Sequence, residues 1–394
     1  MELCSIKKNP QKALSYLERL VNDGSPSGFS EKCNTSLATN PFYSDGFELF
    51  RFEGGTIRQF GSLPKELEQY GVLAHPDWLQ SEFKQIHVVR TGLKVVPTSS
   101  ARTVRLKDFP YYIKMSYPGV IGRMYRKLEE QQIVSALEVS ALFHQLSNSD
   151  NMPSSFAFYP ENGGRLFLDG DFSTGYVVRD GKAVGKNVDK IHYIIPAFSL
   201  FSIDRGKKED TPIIIQILQN KDAMKYLTEQ IFLPLIDIYM TCSLSEGLNP
   251  EMHAQNVMLG LNSNDDVVSL ILRDMESVDK DWTIRKQLNK QQFNNCYKVI
   301  SETDYNYRIK HSFMFDHKLG EYLIQSIIDK VESYGLIDKK KIIKVLRAYT
   351  HEKYGDRLKD YFPQDGCWYR FEQIQIDRSK QSRPYVRLPN PILR

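Results

Sequence analysis

The stretch "NPEMHAQNVMLGLNSNDDVVSLILRDMES", Asn249 to Ser277, decides how this chain is read. Two apolar arms, VMLGL and VVSLIL, flank a polar turn from Asn262 to Asp266, a pattern that predicts a β-hairpin. With the turn centred on Asp265, Asn256 faces Asp274, Met258 faces Leu272 and Gly260 faces Leu270. Directly opposed side chains share a face, about 5 Å apart. Glu276, two residues beyond Asp274, joins that face. An amide oxygen and two carboxylates then gather at the open end, with His253 and Gln255 at the rim. Hard oxygens suit Mg²⁺, which takes one or two protein carboxylates and leaves its other positions to water and phosphate. The competing reading is a surface hairpin with a solvated polar end. The greasy arms favour a central hairpin, and buried carboxylates need a cation or several donors to stay ionised.

A second ribbon repeats the logic with opposite charge. "TSSARTVRLKDFPYYIKMSYP" predicts a hairpin about Asp108–Pro110, in which Thr103 faces Lys114. Ser100 and Arg102 lie at the same open end, and Arg123 and Arg126 follow. Hydroxyls, a lysine and several arginines make an anion site, suited to a polyphosphate or a carboxylate. The alternative is a basic edge strand that discourages aggregation. Taken together, the two ribbons point to a nucleoside triphosphate. No GxxxxGK[ST] loop, no GxGxxG after a strand, no HRD…DFG set and no GxSxG occurs.

The chain's 394 residues allow two or three domains. A net charge of +4 without a long basic run argues against nucleic acid. Five scattered cysteines without metal spacing fit a reduced, cytoplasmic setting. The N-terminus has no signal-peptide core, and Ile191–Ile203 is too short to span a bilayer. Helices are expected over 11–22, 123–147, 222–243 (bent at Pro234), 318–333, 338–354 and 367–376. A loop is expected over 24–44, a strand over 85–96, and short strands with Asp-Gly turns after residue 164. The class is α+β, with a boundary near residue 205: an N-terminal helix and loop (1–45), a β-rich part (46–205) and a mostly helical part (206–394).

The ordered motifs resemble the NRPS-independent siderophore synthetases of the aerobactin-synthetase type. Ser100-Ala101-Arg102-Thr103 is similar to the family's SxRT element, and Lys114 and Arg126 follow at similar spacing. His253-Ala254-Gln255-Asn256 is similar to HxQN, and Arg273-Asp274 to the downstream RD pair. His75-Pro76 resembles an element before SxRT, and "YVRLPNPI" (385–392) resembles the C-terminal ending. The resemblance implies a cupped-hand fold, with "fingers" and "palm" enclosing ATP. It implies a ligase that adenylates a carboxylic acid and condenses it with an amine or alcohol, releasing AMP and pyrophosphate. By the same resemblance, Ser100, Arg102, Thr103 and Lys114 hold phosphates, and Arg126 holds phosphate or the substrate carboxylate. His253 and Gln255 contact nucleotide or substrate, His75 substrate, and Asn256, Asp274 and Glu276 hold Mg²⁺. Gly122-Arg123 departs from the family's usual Ser/Thr pair, and the added charge of Arg123 either favours a more anionic substrate or pairs with Glu129 or Glu130. Family members are longer at the N-terminus, so a shortened member is expected, acting as a homodimer or completed by a partner subunit. Two other readings compete. One is a non-catalytic or partner-dependent relative. The other is a small-molecule kinase, whose expected base two residues after the His is Gln255 here.

Overall fold

A computed structural model describes residues 1–22, 46–80, 87–100, 102–121, 124–204, 210–363, 368–371, 385–388 and 392–394. The expected loop 24–44, Arg123, most of the boundary stretch 204–212 and much of 367–376 lie outside the described residues. The chain divides into two compact units: residues 1–213 with 258–277 and 293–297, and 214–257 with 278–292 and 298–394. Most of the quoted hairpin thus belongs with the first half of the chain.

The first unit opens with α1 (Leu3–Lys8) and α2 (Pro10–Leu20), close to the expected helix. The Asn9 side chain accepts from the Lys12 N–H, and Pro10 fills the first helical position, where its missing N–H costs nothing. Then come β1 (Phe47–Glu53), β2 (Thr56–Gly61), β3 (Leu73–Ala74), β4 (His87–Pro97), β5 (Thr103–Leu106) and β6 (Tyr111–Met115). After them run α3 (Glu130–Ser147), β7 (Phe156–Phe158), β8 (Glu161–Asp169), β9 (Phe172–Asp180), β10 (Val184–Gly185) and β11 (Tyr193–Pro196). The hairpin supplies β12 (Val257–Leu261) and β13 (Val267–Leu272).

Eight strands form one sheet in the order β2-β8-β9-β6-β5-β4-β1-β3. Gly54 and Gly55 alone connect β1, beside one edge, to β2 at the other edge, so the sheet must curl round on itself. Its inner face holds the core, including Val104, Leu106, Ile113, Met115, Tyr176 and Val178. Because strands alternate, Thr103, Tyr112, Lys114 and Arg179 stand on the opposite face. The second sheet, β10-β7-β13-β12-β11, has β7 and β13 parallel. Leu14 of α2 packs on its cluster of Ala157, Tyr159, Met258 and Ile271.

Helix α3 begins seven residues later than the pattern suggested, because a reciprocal capping box of Glu129 and Gln132 fixes its start. It buries Ile133, Ala136, Val139, Phe143 and Leu146, one helical stripe. The stripe lies against glycines of β8 and β9: a Cβ on Gly175 would stand 2.6 Å from the Arg165 carbonyl and 2.8 Å from Ile133.

In the second unit, residues 223–245 form the expected buried run with inserted π turns, Leu227–Phe232 and Thr241–Ser245. The first precedes Pro234, whose ring and missing N–H the regular i→i−4 pattern cannot accommodate. Helical runs over 307–332 and Lys339–Tyr361 cover the expected helices. Trp368–Phe371, expected as helix, is a strand paired with Tyr385–Leu388. No helix among the described residues is long and apolar enough to cross a membrane.

Replacing Gly175 with valine should force α3 off the sheet and cost about 1–3 kcal/mol. Urea unfolding measures this, and an unchanged midpoint would show that the close approach does not matter.

Candidate active site

The β5–β6 ribbon has the expected register, with Thr103 opposite Lys114. Lys114 is buried, at 2% exposure. Its ammonium donates to Asp274 Oδ1 and, at 2.7 Å, to Glu276 Oε2. Arg102 Nη2 lies 3.6 Å from the same Glu276 oxygen. On β9, Arg179 reaches Glu161 at 2.6 Å and Asp274 at 3.5 Å. Tyr297 closes the cluster by donating to Glu276 Oε1 at 2.7 Å. Three cations and three carboxylates therefore interlock within the first unit.

The carboxylates reach Lys114 by a different route from the one expected. A hydrogen bond from the Asn262 N–H to the Asp266 carbonyl closes the hairpin, and the strands end at Val257 and Leu272. Neither Asn256 nor Asp274 is in the ladder, so strand pairing does not bring them face to face. Asp274 instead adopts left-handed backbone at φ +75°, a conformation Asp tolerates better than most residues. Its carbonyl accepts from both the N–H and the Oγ of Ser277, fixing the turn Met275–Ser277. That turn, not strand alternation, presents Asp274 and Glu276 to one ammonium.

The SxRT segment is a hydroxyl-laced turn. Thr98 Oγ1 donates to the Thr103 carbonyl at 2.7 Å, and Ser100 Oγ to Thr103 Oγ1 at 3.1 Å. Arg126 comes beside it through its backbone, whose carbonyl accepts from the Tyr117 N–H and from Arg102 Nη1. His75 is buried between Phe47 and Tyr117, the residue whose N–H donates to the Arg126 carbonyl. Its Nδ1 accepts the Asp77 N–H at 3.2 Å, and burial lowers its pKa to about 4, so it stays neutral. Arg123 lies outside the described residues.

The HxQN residues belong to the second unit. His253 Nδ1 accepts the Gln255 N–H at 3.1 Å, and Asn256 donates to the Glu251 carbonyl at 3.1 Å. Lys318, on the π run Phe313–Gln325, pairs with Glu251 at 2.7 Å. Burial pushes the Glu251 pKa up, but Lys318 and His253 prevail and hold it at about 2.

Glu161, Arg179, Tyr297, Glu251 and Lys318 escaped sequence reasoning. Arg179 had a usable signal: its stretch pairs with β6, and alternation from Lys114 puts it on the same face.

Among the described residues, no group of three or more His, Cys, Asp and Glu could hold a metal ion. Asp274 and Glu276 nevertheless fit Mg²⁺ in number and type, since that ion needs only one or two carboxylates beside phosphate.

Comparison with known proteins follows the same line. Residues 74–183 match the IucA / IucC family model. The fold is similar to that of ATP-bound aerobactin synthetase IucA from a hypervirulent pathotype of Klebsiella pneumoniae, with a TM-score of 0.72 and 15% identity over 98% of this chain and 79% of that one. It is also similar to petrobactin biosynthesis protein AsbB from Bacillus anthracis str. Sterne, with a TM-score of 0.69 and 14% identity over 96% and 75%. No curated protein matches the sequence significantly. The resemblance read from the motifs is borne out: the chain shares the fold of these solved structures, and residues 74–183 match the IucA / IucC family model.

Burial pushes the Asp274 carboxyl up in pKa, but Lys114, Arg179 and Arg102 hold it well below the ordinary carboxylate range. A depressed folded pKa contributes stability above the unfolded value, near pH 4, that is lost as pH falls through the folded value. Asp274→Asn should therefore melt below the native protein at pH 7, with the gap narrowing below pH 4. Thermal unfolding across pH measures it, and a gap that widens in acid would contradict the assignment.

Proposed function

We propose that this chain is an ATP-dependent ligase of siderophore or related natural-product synthesis. It joins a small carboxylic acid to an amine or alcohol through an acyl-adenylate. The observation that carries this reading is the buried Lys114 ammonium held between Asp274 and Glu276, with Arg102 and Arg179 beside it. The family match over 74–183 and the fold shared with an ATP-bound synthetase support it.

In this reading the ion pairs are a resting state. Arriving polyphosphate takes the donors of Lys114 and Arg102, with the Ser100 and Thr103 hydroxyls beside them. Asp274 and Glu276 are then released from Lys114 and would hold Mg²⁺. When bound, that ion would supply neutralisation of phosphate charge, that of pyrophosphate included. Arg126 attracts the substrate carboxylate. A carboxylate oxygen attacks the α-phosphorus as its bond to pyrophosphate breaks. The amine or alcohol then attacks the acyl carbon, AMP leaves with the bonding electrons, and the nucleophile's proton passes to solvent. Lys114 and Arg102 serve by stabilising charge that grows on the phosphoryl oxygens, so no side-chain nucleophile is required. The chain works in the cytoplasm on small molecules, as a homodimer or with a partner subunit.

ATP–pyrophosphate exchange, screened over a panel of carboxylic acids, tests the reaction. Exchange dependent on one acid, with AMP as product, is expected, and Lys114→Met should lower its rate by at least about 10². ADP as product, or undiminished exchange in that variant, would overturn the proposal.

A further inference from the structure

We propose that Glu18 and Arg19, neighbours on α2, are positioning residues that clamp one peptide unit at the entrance to the Ser99–Thr103 turn and tie it to Arg273; their service to nucleotide binding rests on the reading above. Glu18 Oε2 accepts the Ser99 N–H at 3.0 Å. Arg19 Nη1 donates to the Thr98 carbonyl at 3.0 Å. That carbonyl and that N–H belong to the same peptide plane, so consecutive side chains grip its two ends. Glu18 Oε1 also accepts from Arg273 Nη1 at 2.5 Å, and Arg273 Nη2 reaches Ser99 Oγ at 3.4 Å.

Five residues of this lattice are nearly sealed from water: Glu18 4%, Arg19 3%, Thr98 4%, Ser99 1% and Arg273 8% exposed. Burying charge costs free energy that an apolar side chain would avoid, so burial alone does not account for a Glu-Arg pair beside Ala13, Leu17 and Val21. Geometry does account for it. On one side the gripped peptide leads into Ser100, Arg102 and Thr103, which faces Lys114. On the other, Arg273 directly precedes Asp274, whose left-handed backbone aims the carboxylate at Lys114. Helix α2 therefore sets the spacing between the hydroxyl turn and the carboxylate turn. Small errors in such spacing cost reactivity heavily, on the order of a hundredfold per ångström. Arg273 and Ser99 also hold the Glu18 carboxyl below its ordinary pKa against the upward push of burial, so its charge persists at neutral pH.

Two variants test the clamp. Glu18→Gln keeps size and an acceptor for Ser99 but removes the charge that Arg273 needs. Arg19→Met keeps length but removes the donor to Thr98. Each is followed by amide hydrogen exchange and by calorimetric titration with ATP and Mg²⁺. The expected result is exchange at least tenfold faster over 99–103 in both variants, no change over 133–146 in α3, and at least tenfold weaker ATP binding. Unchanged exchange at the turn in both variants would overturn the clamp. So would acceleration spread evenly over all amides, which marks a general structural role. If the unaltered protein binds no ATP, the ligase reading fails, and the local exchange result alone decides the clamp.

Discussion

A buried ammonium governs the first unit. Lys114 sits at 2% exposure, where an unpaired charge is very costly, so its surroundings must supply anions. Asp274 and Glu276 supply them, and each answers to a second cation, Arg179 or Arg102. Tyr297 adds a neutral donor, because burial and then Glu276 push its phenol pKa up. Deleting one partner of such a buried pair typically costs about 3–5 kcal/mol, since the survivor stays buried and uncompensated. Replacing the network with apolar groups would be easier for stability alone. Under the proposed function, such a network is what a site that exchanges protein anions for phosphate requires.

The fold delivers these groups by simple means. Alternation along β5, β6 and β9 sends Val104, Ile113 and Val178 into the curled sheet's core and Thr103, Lys114 and Arg179 to its other face. Glycines at 164 and 175 let α3 lie close on β8 and β9, which fixes those strands. The short turn after β13 does the rest, using one left-handed residue to bring two carboxylates to one ammonium.

Much of this was legible in the sequence, for identifiable reasons. The β5–β6 register followed from a single Asp-Phe-Pro turn, because hairpin pairing is local. Lys114, Asp274 and Glu276 were singled out together, yet the reason given for the last two was mistaken. Strand alternation was extended past Leu272, where a left-handed Asp ends the strand. His75, marked by its motif, is fully buried, a depth that one-dimensional spacing does not reveal. Glu18 and Arg19 were passed over because polar residues on an amphipathic helix ordinarily face solvent, and only packing shows that these do not. Pairing across more than two hundred residues, as between Glu18 and Arg273, leaves no local signature.

In the proposed function, Asp274 and Glu276 neutralise the phosphate-binding cations until a divalent ion takes them over. Calorimetric titration of ATP with Mg²⁺ and with chelator, on the native protein and on an Asp274→Asn, Glu276→Gln double variant, tests it most directly. The native protein should bind ATP at least tenfold more weakly without Mg²⁺, and the double variant should bind metal-free ATP more tightly than the native protein does. Equal metal-free affinity in the two proteins would contradict the account.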